Sequence, residues 1–368
     1  MPEKTYSLEN NLVQALGDEV AKSWLDESPP STCRDPSLLS SSWQKAIRRG
    51  RRNEAIGSAL ALLQLDPDYV WRRMRGIALE EVSVADLELV AQVLAVAGKR
   101  VLQKKLGERR LLVNLTARLA AAPKCRTACD LLMWLPPPAQ SWTRITGEPL
   151  FNWRALGLSD VAGLRHTAGL WKSIAAQSVR TPSGWRSVTR GDALTREAWL
   201  EAAEMPPLAR FIVQRGSSTD TLNVLLVPVY QLAQGGAQYV AVPASSPTSS
   251  EVIGALPAYS YCLFSAPGRA ALRRFLVNHE GWRRHFREIG VTDSLRALGH
   301  LVFQLEGSYC AQVLQFPRAA EIKMLSEIET LARFGVPVPK VPELRRQIAT
   351  DLPALNVARR AIAAAIEP

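Results

Sequence analysis

Apolar residues recur four apart at the start of the chain, at Leu8, Leu12, Leu16, Val20 and Trp24, a spacing that lays one stripe along a helix over residues 6–25. The period vanishes in ESPPSTCRDPSLLSSS, a Ser- and Pro-rich stretch that reads as a linker over residues 28–41. Helical spacing returns near Trp43, with Ser42 placed as an N-cap and Gly50 as a stop. A second helix fits residues 53–64. Asp66-Pro67-Asp68 opens a third: Asp66 caps it, and Pro67 takes a first-turn position where its missing N–H costs nothing. That helix buries Val70, Met74, Ile77, Ala78 and Val82 and turns Arg72 and Arg75 to another face. A fourth, long helix is predicted over residues 86–106, with Leu87, Val90, Ala91, Leu94, Ala97 and Val101 inward and Gly107 at its end. Two more fit residues 108–122 and 124–135. Pro136-Pro137-Pro138 then ends the array, because no helix propagates through three prolines.

Beyond Ala139 the pattern weakens, and Trp142, Trp153, Trp171, Trp185 and Trp199 lie scattered among short helix candidates. ARFIVQR, TLNVLLVPVYQLA and AQYVAVPA lean toward strands. The second suits a buried helix ending at Gly235-Gly236 equally well, since short apolar runs have no distinguishing period. PASSPTSS reads as another linker. Helical spacing resumes from Ala266, with Pro337, Pro339 and Pro342 separating the last two helices. The expected fold class is therefore mainly α. It comprises an N-terminal helix (1–27), a linker (28–41), a helical array (42–138), a Trp-rich mixed region with a few short strands (139–265) and a second helical region (266–368).

A length of 368 residues accommodates two domains, and 47% hydrophobic with 21% charged residues is an ordinary globular balance. Charge is more informative: 45 Lys+Arg against 34 Asp+Glu leave +11, an excess that draws a protein toward DNA, RNA or an acidic partner. Arg48, Arg49, Arg51 and Arg52 cluster around one helix end, and Lys99, Arg100, Lys104, Lys105, Arg109 and Arg110 around another. Either set would suit phosphate contacts. In GRAALRRFLVNHEGWRRHFRE, Arg269, Arg273, Arg274, Arg283, Arg284 and Arg287 alternate with Phe275, Trp282 and Phe286. Those aromatics either stack on unpaired bases or form core beneath a solvated arginine face.

No apolar run approaches the roughly 18–20 residues a membrane span requires, and the opening MPEKTYSLENN lacks the order of a secretory signal. A cytoplasmic location and no membrane partner are expected. The five cysteines, Cys33, Cys125, Cys129, Cys262 and Cys310, are then reduced thiols with no disulfide.

Tests for chemistry are mostly negative. The chain has no G-x-x-x-x-G-K-[ST] phosphate cradle, no G-x-G-x-x-G opening a helix, no G-x-S-x-G elbow and no H-E-x-x-H. His166, His279, His285 and His300 are too scattered for a metal site. Cys125 and Cys129 share a helical face without a second ligand pair, so no metal or other cofactor is expected. The adjacent Glu80 and Glu81 point about 100° apart on a helix, which suits pairing with Arg72, Arg73 or another nearby cation better than joint catalysis. Any enzymatic site would lie in residues 139–265, gathering His166, Arg190 and Asp192.

Four ordered phrases carry a family likeness: SSWQKAIRRG with NEAI, LDPDYVWRRMRGIALEEVSVAD, LAVAGKRVLQKKLG and RLAAAPKCRTACD. Over Ser42–Leu135, about a quarter of the chain, the sequence resembles the C-terminal helical region of the RarA/MgsA family, AAA+ ATPases related to clamp loaders and active at stalled replication forks. The matching residues are Lys45, Ile47, Arg48, Pro67, Tyr69, Arg72, Arg73, Arg75, Glu80, Ala85, Asp86, Pro123 and Lys124. Glu81-Val82-Ser83 departs from the family's D-I-G, Arg49 and Gly50 stand where G-S is usual, and the ATPase portion has no counterpart. The resemblance implies a collar through which subunits assemble, in a replication, recombination or repair setting, without ATPase activity.

The expected function is that of a non-catalytic, DNA-associated oligomeric or accessory protein. It would hold non-sequence-specific DNA through phosphate contacts from Lys45, Arg48, Arg49, Arg51, Arg52, Arg72, Arg73, Arg75, Lys124, Arg273, Arg274, Arg283 and Arg284. The alternatives are an adaptor pairing with a separate AAA+ ATPase or replication protein without binding DNA, and an enzyme with its site in residues 139–265.

Overall fold

The computed structural model describes residues 2–22, 28–135, 163–165, 167–169, 180–181, 184–185, 200–201, 203–215, 222–242 and 251–366. Among these the fold is mainly α, as the periodicity predicts. The Pro136–Pro138 run, His166, Arg190, Asp192, Trp142, Trp153, Trp171, Trp199 and the PASSPTSS stretch lie outside the described residues.

Two Asp-Pro pairs open helices by one mechanism. After α1 (Pro2–Lys22), which buries Leu12, Leu16 and Val20, Asp35 caps α2 (Pro36–Arg48) by accepting from the Leu38 N–H at 2.8 Å. The helix therefore starts well before Trp43, and Ser42 is no cap: it lies buried in mid-helix, accepting from the Ser58 hydroxyl at 3.0 Å. Nor is the whole of residues 28–41 a free linker. The Ser31 N–H donates to the Gly57 carbonyl at 3.0 Å, and Cys33 is buried.

The second pair, Asp66-Pro67, separates α3 (Arg52–Leu65) from α4 (Pro67–Ile77), with Asp66 accepting from the Tyr69 N–H at 2.9 Å. Helix α4 then widens into a π turn, Ala78–Val82, followed by a 3-10 turn, Ser83–Ala85. The long helix expected next is two: α5 (Leu87–Val96) and α6 (Arg100–Lys105). The chain breaks at Gly98, which faces open space and where glycine costs a helix about 1 kcal/mol, and Val101 is 84% exposed, not inward. Gly107, at φ +81, turns the chain into α7 (Glu108–Ala121), and α8 (Thr127–Trp134) completes the array.

ARFIVQR is helical, as α9 (Pro207–Arg215), with Pro207 in the first position. TLNVLLVPVYQLA also takes its helical alternative, α10 (Leu222–Ala233), whose side chains from Leu222 to Val229 are all buried, so that no polar face records its period. Arg180–Thr181 (β1) and Gly184–Trp185 (β2) form a two-residue antiparallel pair, and Val252–Ile253 (β4) and Leu256–Pro257 (β5) another. The four-residue β3 (Gln238–Ala241) pairs antiparallel with β6 (Gln312–Gln315), joining sequence-distant parts of the chain.

The C-terminal region comprises α11 (Ala266–Asn278), α12 (Glu280–Glu288), α13 (Ser294–Val302), a second π turn (Phe303–Gly307), α14 (Ala319–Ala332) and α15 (Val341–Ile366). Its own core includes Leu272, Phe275, Trp282, Phe286, Leu298, Ile348 and Leu355. The larger core runs through α1 to α10. The two regions meet where α8 packs on α14 and α2 on α11, and Gly268 lets α11 close on the segment just before it, where a Cβ would overlap the Cys262 backbone. No helix among the described residues is long and apolar enough to cross a membrane.

Candidate functional site

The seam between the two helical regions encloses a cleft of about 1130 Å³. One side is built by α2, Tyr69 and Arg73 of α4 and residues 124–133; the other by Phe264, the second π turn, Tyr309-Cys310 and α14. Its cationic lining includes Lys45, Arg73, Lys124, Arg126, Lys323 and Arg345, set against the carboxylates of Glu80, Asp130 and Glu327.

Behind that lining, the two π turns each present a buried glutamate. Glu81 accepts from Arg48 Nε at 2.8 Å and Nη2 at 2.6 Å, from Arg126 Nη1 at 2.6 Å and from Gln44 Nε2 at 2.5 Å. Burial pushes its carboxyl up, but the two guanidiniums and the Gln44 amide outweigh burial and hold it far below the usual carboxylate range. Glu306 accepts from Arg359 Nη2 at 2.6 Å and Nη1 at 3.2 Å. The carbonyls of Gly307 and Glu306 accept from Arg48 and Arg49. Arg48 thus ties both π turns together, in keeping with the frequent placement of π turns at functional positions.

Lys124 donates to the carbonyls of Leu119 at 3.0 Å, Ala120 at 3.1 Å and Ala122, closing the C-terminal end of α7. Burial pulls its ammonium down to about 8, against the pull of Glu81. Lys45 Nζ lies 2.7 Å from both Ser41 Oγ and Cys262 Sγ. Nearby, burial raises the Asp130 carboxyl to about 6, and burial with Arg296 lowers His300 to about 4.

Several residues expected on a DNA-binding face are therefore elsewhere. Lys45, Arg48, Arg49 and Lys124 are buried and bonded within the protein, where duplex phosphates do not reach. Arg49 also lies over the Tyr259 ring, 4.3 Å from its centroid. Arg73 is half-buried against Glu80 and Gln44, Arg75 is half-buried, and Arg51 pairs with Glu54 at 2.8 Å. Arg52 and Arg72 are exposed. Phe275, Trp282 and Phe286 are core, so they offer no stacking platform.

The C-terminal arginines match the surface expectation better. Arg273, Arg274, Arg283, Arg284 and Arg287 are all exposed on α11 and α12, and among the described residues the one carboxylate within ion-pair distance of any of them is Glu288, 4.0 Å from Arg284. Lys104, Lys105, Arg109 and Arg110 are exposed around the turn between α6 and α7. The local pairing of Glu80 was legible from its spacing to Arg73, but the partners of Glu81 were not: Arg126 stands 45 residues away, and the Lys45–Cys262 contact spans 217. No family model, curated protein or solved structure matches this chain.

Proposed function

We propose that this protein is a nucleic-acid-associated accessory factor that holds DNA through phosphate contacts, without reading its sequence, from two exposed basic surfaces. The observation that carries this reading is the set Lys104, Lys105, Arg109, Arg110, Arg273, Arg274, Arg283 and Arg287, all exposed and with no ion pair to a described carboxylate. Unneutralised cations of this kind release counterions from a phosphate backbone when they contact it, whereas arginines paired inside the protein do not reach one. The replication, recombination or repair setting, and assembly with itself or with a separate AAA+ protein, rest on the resemblance over Ser42–Leu135. The test is binding of fluorescent forked DNA across a salt series, with light scattering for stoichiometry. Log affinity falling linearly with log salt, and collapsing when Arg273, Arg274 and Arg283 become Glu, is the expected result. Binding that is absent or indifferent to those substitutions, with a co-purifying protein partner, replaces this reading with the adaptor.

A second reading is carried by the cleft. Its Lys323 has no ion-pair partner among the described residues, and Phe264, 56% exposed, stands at its edge beside Phe303 with ring centroids 5.4 Å apart. A small anion carrying a flat ring fits that combination. Thermal stabilisation by ATP that is lost in Lys323→Glu supports it; no stabilisation rejects it.

A further inference from the structure

The contact between Lys45 and Cys262 is much shorter than the polar contacts that other cysteine sulfurs make. Nζ and Sγ are 2.7 Å apart, whereas hydrogen bonds involving sulfur elsewhere lie at 3.3 to 3.9 Å, among them those of Phe264 N and Ser41 Oγ to Cys262, of Arg126 to Cys129, and those of Cys33, Cys125 and Cys310. Sulfur is larger than oxygen, so a contact this short lies inside the separation at which a nitrogen and a sulfur that are not bonded normally rest. It is, however, the separation that one bridging oxygen atom spans with neither side chain moving.

The surroundings favour such a bridge. Both residues are buried, and no carboxylate among the described residues is in hydrogen-bond contact with Lys45 to compete for its nitrogen. Ser41 Oγ accepts from Nζ at 2.7 Å and sits 3.4 Å from Sγ, while the Phe264 N–H donates to the sulfur at 3.3 Å. These contacts fix the two reacting atoms. Lys45 and Ser41 also line the cleft, which gives a small oxidant a path to the pair.

We propose that Lys45 and Cys262 form an oxidative crosslinking site, joined on exposure to dioxygen through an Nζ–O–Sγ bridge. The balance is one amine, one thiol and one dioxygen giving one bridge and one water. The N–H and S–H bonds each lose a hydrogen, one oxygen atom becomes bonded to both nitrogen and sulfur, and the other leaves as water with the two hydrogens. Nitrogen and sulfur are oxidised and dioxygen is reduced. The bridge ties α2 to the segment preceding α11, across the seam that encloses the cleft, and it removes the lysine's charge from the cleft wall. Unlike further oxidation to sulfinic acid, a bond of this kind to sulfur is open to reversal by thiols.

The test is peptide mapping by mass spectrometry of the intact chain, folded in air-saturated buffer, with and without subsequent dithiothreitol. The expected product links the peptides holding Lys45 and Cys262, carries one added oxygen and two fewer hydrogens, blocks tryptic cleavage after Lys45 and disappears on reduction. It persists in Cys310→Ser and is lost in Cys262→Ser. The proposal is overturned if the oxidised wild-type protein yields free Lys45 and Cys262 peptides. A link without the added oxygen, or Cys262 recovered as a sulfinic acid beside an unmodified Lys45, overturns it equally.

Discussion

The Arg48 guanidinium grips Glu81 with two N–H donors, Nε to Oε2 at 2.8 Å and Nη2 to Oε1 at 2.6 Å, and its remaining nitrogen donates to the Gly307 carbonyl. One side chain therefore joins the N-terminal π turn to the C-terminal one. A buried pair of this kind does not of itself add net stability over apolar residues, because removing both charges from water is costly. Losing a single partner is the more expensive change.

Glu81→Ala should accordingly destabilise the protein by about 3–5 kcal/mol, since it strands the buried Arg48 guanidinium and the half-buried Arg126 one. Denaturant unfolding measures this, and a double-mutant cycle with Arg48→Met should recover part of the loss. A cost under about 1 kcal/mol for Glu81→Ala would show that water reaches the cluster.

Asp130 gives a pH signature. Its folded carboxyl is raised to about 6, above the unfolded value near 3.9, so the native state binds the extra proton and stability falls as pH rises between those values. Asp130→Asn should stabilise the protein at neutral pH and make no difference below about pH 4. Melting temperatures of both proteins across this range provide the check.

His300 works in the opposite direction. It packs edge-on to Phe264 and stacks on Phe334, and its folded value is lowered to about 4, so protonation is resisted in the native state. Stability should fall as pH drops from about 6.5 through 4, and His300→Gln should flatten that part of the curve. An unchanged acid limb in the variant would count against the burial assigned to the ring.

Gly268 predicts a steric effect at the seam. A methyl group there overlaps the backbone of Cys262, which has no flexible side chain to give way. Gly268→Ala should cost on the order of 1–3 kcal/mol, as overpacking does, despite its better helix propensity. An alanine that stabilises instead would mean that the Cys262 segment moves freely.

For DNA, each exposed arginine that touches a phosphate contributes about one unit to the slope of log affinity against log salt. Replacing Arg273, Arg274 and Arg283 with Gln should lower that slope by up to about three, whereas Arg75→Gln, at a half-buried position, should change it little. Equal effects from the two sets would argue against a surface-phosphate mode.

The sequence by itself determined what depends on neighbours along the chain. Asp66-Pro67 opened a helix, Gly50 and Gly107 ended helices at positive φ, and the apolar stripe of Leu12, Leu16 and Val20 faced the core, because caps, turns and helical faces are set within a few residues. The same Asp-Pro signal stood at Asp35-Pro36 and was masked by the surrounding serines. Tertiary structure decided the rest. It chose helix for the apolar runs at residues 209–215 and 222–233, and in the second the unbroken burial from Leu222 to Val229 erases the period that distinguishes helix from strand. It also decided which cations face water. Arg48 and Arg273 are alike as letters in a basic stretch, yet Arg48 meets Glu81 inside the seam and Arg273 meets solvent. Charge along a sequence is a sum, whereas the field a partner feels depends on which carboxylates the fold has brought within reach of each cation.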